Sequence, residues 1–263
     1  MAKLKLRQCS PSEHPFCRNK EEALQKTETL QRKLYDLLYL MFAHDQHSLL
    51  IILQGIDTAG KDGTVRHIFA GANPQGIKVF SFKRPSLEEF RHDFLWRCHL
   101  HTPESGLAVI FNRSYYEEVT TAMVHPELLK EQHIPDHSRN RADFFDRRYA
   151  RINDFEKMLV QKGTLVLKFF LHISKKEQKA RINERLKNRS KNWKFSTEDV
   201  KERRHWDEYM FSFEKMLAAT TTKHAPWIVV PADNKWYRDY VVSKTLVAAL
   251  QKLKMTFPRV KRD

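Results

Sequence analysis

Apolar residues recur along this chain in two rhythms. From about Lys20 to Ala43, Leu24, Leu30, Leu34, Leu37, Leu38 and Met41 return at helical spacing between polar positions, which predicts an amphipathic helix lying on a larger body. Elsewhere the apolar positions run together in short blocks: Ser48–Leu53, Gly76–Phe82, Leu107–Phe111, Thr164–Leu171 and Trp227–Val230. Such blocks suit strands buried on both faces, and the stretches between them are helical in pattern. Strands alternating with helices predict an α/β fold of three layers, a central parallel sheet between helices, with ligands at the carboxyl ends of the strands.

Three segments depart from this alternation. Residues 1–18 hold Pro11 and Pro15 and no clear periodicity, so they are expected to form a loose arm ahead of a single domain spanning 19–263. Ser86, followed by Glu88 and Glu89, reads as the cap of a helix carrying Phe90, Phe94, Leu95 and Trp96 inward. Between the fourth and fifth blocks, residues 174–216 are dense in charge and helical in pattern, with Arg181, Arg185 and Arg189 on one stripe. A solvated face is the ordinary meaning of such a run, and Glu177 and Glu184 could simply pair with basic neighbours. Lys187, Lys191, Lys194, Arg203 and Arg204 nevertheless extend the basic region, and a cationic helical insertion suits a lid that closes over anionic substrates.

The first block runs into Gln54-Gly55-Ile56-Asp57-Thr58-Ala59-Gly60-Lys61-Asp62-Gly63-Thr64, with a helical pattern after it. Strand, glycine turn with lysine, then helix is the order of a phosphate-cradling loop, in which backbone N–H groups and one ammonium surround an oligophosphate. Nucleotide triphosphatases usually place Ser or Thr after the lysine to hold Mg²⁺. Here that position is Asp62, and Asp57 adds a second carboxylate. Carboxylates beside phosphate repel it unless a cation lies between them, so Asp57 and Asp62 are read as partners of Mg²⁺.

Composition narrows the ligand. The chain has 263 residues, 41% of them hydrophobic, which is enough for one sizeable domain. Lys and Arg total 47 against 32 acids, a formal charge of +15 that favours a polyanionic partner. Cys9, Cys17 and Cys98 follow no disulfide spacing and fit a reducing compartment; Cys9, His14 and Cys17 lack a fourth metal ligand, and His99 and His101 lack partners. The start, Met1 to Arg7, does not lead into an apolar signal segment, and no run reaches membrane-spanning length, so a cytoplasmic protein without membrane contact is expected.

Several segments together resemble the polyphosphate kinase type 2 family. They are Leu53–Thr64, Asn73–Gly76, Ser81–Pro85, Asp93–Arg97, Phe111–Glu117, Ile173–Gln178, Trp193–Ser196, Trp206–Tyr209 and Pro226-Trp227, in family order over about residues 20–250. The resemblance implies a P-loop kinase-like fold with a helical lid insertion and Mg²⁺-dependent phosphoryl transfer between inorganic polyphosphate and nucleoside mono- or diphosphates, guanine nucleotides included. The variant Asn112-Arg113-Ser114-Tyr115-Tyr116-Glu117 looks most like members that accept both monophosphates and diphosphates. By position, Gly55, Ala59, Gly60, Lys61, Asp62, Gly63 and Thr64 would hold phosphates, and Asp57 would serve the metal and orient the accepting phosphate. Arg113 would neutralise the transferring group, Lys83 and Arg84 would guide the polymer, and Arg181 and Arg185 would descend from the lid. Many relatives have aspartate where this chain has Asn112, and a proline near Arg189. The resemblance also implies a homo-oligomer.

Two other readings compete. An ATP-dependent nucleoside monophosphate kinase would share fold, lid arginines and Mg²⁺ but would usually carry Gly-Lys-Ser/Thr. A nucleic-acid-binding P-loop ATPase would suit the charge, yet the basic residues lie in a lid and rims instead of a stripe interleaved with exposed aromatics, so no nucleic-acid partner is expected. A GTPase is disfavoured because Asp233-Asn234-Lys235 is followed by Trp236-Tyr237 and not by an acid.

Overall fold

The computed structural model describes residues 5–259. The beginning of the expected arm, residues 1–4, and the end of the expected domain, residues 260–263, lie outside them. Five strands form one sheet: β1 (Ser48–Gln54), β2 (Ile77–Ser81), β3 (Ala108–Asn112), β4 (Thr164–His172) and β5 (Trp227–Pro231). Their order is β2-β3-β1-β4-β5, and every pairing is parallel. All residues of β1 and β3 are buried, as the unbroken apolar blocks predict, because helices cover a parallel sheet on both faces.

The amphipathic helix Lys20–His44 packs on the last helix, Lys235–Gln251, which also meets the helix after the glycine loop, Lys61–Ile68. Helices Phe144–Gln161 and Trp206–Thr220 pack on each other, and the former lies on β4. Asn19 caps the first helix through Glu22 N, and Asp45 ends it in the left-handed region.

Ser86 does cap a helix, with Glu89 completing a reciprocal capping box, but that helix ends after one turn at Phe90. A second turn covers Trp96–His99, so the single helix expected from the sequence is two pieces. Phe94 and Leu95 still pack on the core, while Trp96 stacks on His92.

Part of the expected arm, residues 6–11, is pinned to the domain. Leu6 is buried, its N–H donates to Glu214, Asp233 N donates to Pro11 O, and a ring nitrogen of His172 lies 3.1 Å from Cys9 O. These bonds tie residues 6–11 to the helix Trp206–Thr220, to the end of β4 and to the loop after β5.

Candidate phosphate-binding site

The glycine loop leaves β1 at the middle of the sheet, where β1 is flanked by β3 and β4. Gly55 has φ +148°, and a Cβ there would come within 2.6 Å of the Leu171 carbonyl oxygen. Gly60 has φ +106°, and a Cβ there would strike the Arg238 guanidinium. Both glycines are therefore demanded by backbone conformation and by close approach. Thr58 between them also has positive φ. Thr64, fully buried, donates its hydroxyl and its N–H to Gly60 O, closing the first turn of the helix Lys61–Ile68.

Lys61 folds back under the loop. Its Nζ donates to Gly55 O at 2.7 Å and to Ile56 O at 3.4 Å, and no carboxylate lies within ion-pair distance of it among the described residues. Burial, reinforced by the nearby Arg113 charge and only partly opposed by Asp57, pushes its pKa down to about 8. An ammonium so held is desolvated and lacks a counter-anion.

The end of β3 reaches the two acids of the loop with consecutive residues. Asn112 donates to Asp62 Oδ1 at 2.7 Å, and Arg113 donates to Asp57 Oδ1. Arg113 also faces Glu117 at 3.8 Å and takes a positive φ of 64°, a conformation held by its N–H bond to Leu53 O. Glu117 foremost keeps the guanidinium firmly ionised, against burial and with help from Asp57. Burial alone would raise the Asp62 pKa, but the hydrogen bonds of Lys194 and Asn112 outweigh it and hold the carboxyl below its ordinary value. The Lys194 bond, 2.9 Å, ties segment 174–216 directly to the loop.

Arg181 and Arg185 of that segment have partners within the protein. Arg181, on the helix Lys175–Lys187, is buried and gives its guanidinium to the carbonyls of Thr58, Ala59, Ala232 and Asp233. It thereby clamps the loop to the segment after β5 through backbone carbonyls. Arg185 braces the segment internally through Asp199 at 2.6 Å and Lys194 O. Of the rim pair, Lys83 is exposed, with its carbonyl held by Arg97, and Arg84 is engaged by Glu131.

Three contributors escaped the sequence reading. Asp199, bonded to Arg185 at 2.6 Å, also feels the charges of Asp57, Arg113 and Lys61; burial first, then the Asp57 charge, raises its pKa against the pull of Arg185. Glu117 shares Arg113, and Arg238 lies behind the loop. A lone acid in a charged helix and an arginine 178 positions from its glycine leave no local pattern.

Asp57 and Asp62 suit a hard cation only in part. Among the described residues there is no cluster of three or more His, Cys, Asp or Glu that could enclose a metal. Mg²⁺ does not need one, since it is commonly held by one or two carboxylates, waters and substrate phosphates. Two carboxylates on one loop, each positioned by a donor from the end of β3, fit that mode. Beside Asp57, a cavity of about 310 Å³ is lined by Arg113, Glu117, His125, Tyr209 and Phe213, among others.

The family model described as "Polyphosphate kinase 2 (PPK2)" matches residues 17–258. The chain is 44% identical over 244 residues to the ADP-polyphosphate phosphotransferase of Rhodopseudomonas palustris, covering 93% of this chain and 84% of that protein. It is also 44% identical over 240 residues to the AMP/ADP-polyphosphate phosphotransferase of Meiothermus ruber, covering 91% and 85%. The crystal structure of polyphosphate kinase 2 from Arthrobacter aurescens TC1 superposes with a TM-score of 0.92 at 37% identity, covering 100% of this chain and 90% of that one. The glycine loop, its two acids and the P-loop kinase-like sheet thus sit in a chain that belongs to the polyphosphate kinase 2 family.

Proposed function

We propose that this protein is a phosphotransferase that moves a phosphoryl group, with Mg²⁺, between inorganic polyphosphate and nucleoside mono- or diphosphates. The observation that carries this reading is Lys61: buried, ionisable, bonded only to loop carbonyls and without a carboxylate of its own. An oligophosphate entering the loop supplies the missing anion, and the helix N-terminus behind Lys61 adds its N–H groups. Arg113 trades part of its contact with Asp57 and Glu117 for oxygens of the transferring group, which its planar fork binds bidentately. Asp57, released from that pairing, and Asp62 would hold Mg²⁺, which when bound offsets charge on the phosphate oxygens.

The acceptor needs no strong base, because its attacking phosphate oxygen is already ionised near neutral pH. The chain has only to align donor and acceptor and to exclude water. The cavity beside Asp57 and Arg113 has the volume for a nucleoside end, and its acids disfavour a long polyanion there. Polyphosphate would instead follow the exposed Lys83 side of the loop, with Arg84 joining if it leaves Glu131. Segment 174–216 would act as the lid, latched by Lys194 on Asp62. Relatives of matching length are named for polyphosphate transfer, which favours neither an ATP-dependent monophosphate kinase nor a nucleic-acid ATPase. Free cysteines suit work in the cytoplasm, and no described helix is long and apolar enough to cross a membrane.

The test is transfer without ATP. Purified protein, polyphosphate and Mg²⁺ with AMP, ADP, GMP or GDP should yield the next higher nucleotide, followed by phosphorus NMR, and chelation should abolish it. Product formed only when ATP replaces polyphosphate would overturn the reading. Light scattering of the same sample checks the expected homo-oligomer.

A further inference from the structure

We propose that Arg238, which touches neither loop side chain nor cavity, is a positioning residue for phosphoryl transfer: it fixes the peptide at Gly60 that aims the loop's donors at phosphate. The inference rests on the phosphotransferase reading above and deepens it. Arg238 lies on the helix after β5 and is 1% exposed. Its Nε and Nη2 both bond Asp239 Oδ1, at 2.8 and 2.6 Å, leaving Nη1 to donate to Gly60 O at 3.3 Å. Asp239 Oδ2 in turn lies 3.0 Å from Nδ1 of His67, on the helix that the loop starts. The guanidinium is thereby held from two sides, and a Cβ at Gly63 would also touch it at 3.6 Å.

Peptide planarity turns this contact into a directional device. The carbonyl of one residue and the N–H of the next point opposite ways across a planar unit. Arg181 takes the Ala59 carbonyl and Arg238 takes the Gly60 carbonyl. The N–H groups of Gly60 and Lys61 must then point away from the two guanidinium groups, and neither has a backbone acceptor among the described residues. Gly60 O accepts from Thr64 N and Oγ1 as well, so Arg238 completes a three-donor anchor at the residue preceding Lys61. A buried charge is costly unless it is paired, and Asp239 supplies the pairing. Burial lowers the Arg238 pKa and Asp239 opposes the shift. This arrangement also accounts for the missing side chain at Gly60: the space is filled by an arginine from the far end of the chain.

Donors displaced by about 1 Å from their working geometry cost on the order of 10²-fold in rate. We therefore expect Arg238→Ala to lower kcat for polyphosphate-to-ADP transfer by about that factor while the KM for ADP stays within about twofold, since the nucleoside cavity is not lined by Arg238. Millimolar guanidinium should restore part of kcat in Arg238→Ala and none in Lys61→Ala, a signature that general loosening of the fold does not produce. Should Arg238→Ala fail to fold, Arg238→Lys carries the test, because an ammonium cannot bridge Asp239 and Gly60 as a fork does. A folded variant with unchanged kcat, or a loss confined to the nucleotide KM, overturns the proposal. Wild-type protein inactive with polyphosphate would refute the phosphotransferase reading instead, so the two failures are distinguishable.

Discussion

Two buried lysines of this protein have opposite surroundings. Lys168, on β4, is fully buried and donates to Glu156 at 2.6 Å, Tyr116 OH at 2.9 Å and Thr220 O at 2.7 Å, so all three ammonium protons have acceptors and the charge has a carboxylate. Glu156 receives Tyr115 and Tyr116 as well, which makes this a closed polar network inside the sheet–helix layer. Lys61 is nearly as buried but has only loop carbonyls. Burial pushes both pKa values down, yet only Lys168 has a hydrogen-bonded acid to resist it. Lys168 is satisfied within the protein, whereas Lys61 has no hydrogen-bonded acid among the described residues, and the proposed phosphate ligand would supply that anion.

That contrast can be broken at several points. Lys61→Ala should have the largest effect, about 10³-fold or more on transfer rate with the thermal midpoint unchanged or raised, because a desolvated charge leaves the fold. A rate within tenfold of wild type would remove Lys61 from the site. Lys168→Met should do the reverse. It strands Glu156 and costs about 3–5 kcal/mol in urea unfolding, and adding Glu156→Leu should recover much of the loss. Equal stability of the single variant and wild type would show that the network contributes nothing. Arg113→Lys keeps the charge but loses the fork held between Asp57 and Glu117, so kcat should fall about 10²-fold in steady-state assays with little change in melting. Asn112→Asp is the mildest: an acid facing Asp62 loses the 2.7 Å bond and adds charge at the proposed cation site, so half-maximal activity should need severalfold less Mg²⁺. Binding of polyphosphate by the wild type should also weaken steeply as salt is raised from 50 to 300 mM, since ions screen the attraction between +15 and the polymer.

The fold was legible because its signals are local. The block Ser48–Leu53 is apolar without interruption, which is what a strand at the centre of a parallel sheet requires, and it becomes β1 with every residue buried. Leu34, Leu38 and Met41 share one helical face and that face is buried. The helix after Ser86 was misjudged in extent, because its cap is local whereas its end at Phe90 is not written in any breaker residue. The arm was misjudged for a related reason: Leu6 reads as isolated until the fold brings Glu214 and the core to it.

The sequence alone located the glycine turn and the residues proposed to serve phosphate, Asp57, Lys61, Asp62 and the neighbouring Asn112-Arg113, since spacing along a strand–turn–helix dictates where backbone donors and side chains emerge. Only the tertiary structure decided which arginines serve the loop from outside. Arg181 and Arg238 meet at Gly60 from different helices, and their carbonyl contacts depend on distances through space that no spacing in the chain encodes. Hydrophobic periodicity records which face of an element is buried; the partner of a buried charge is chosen by packing, after the elements have come together.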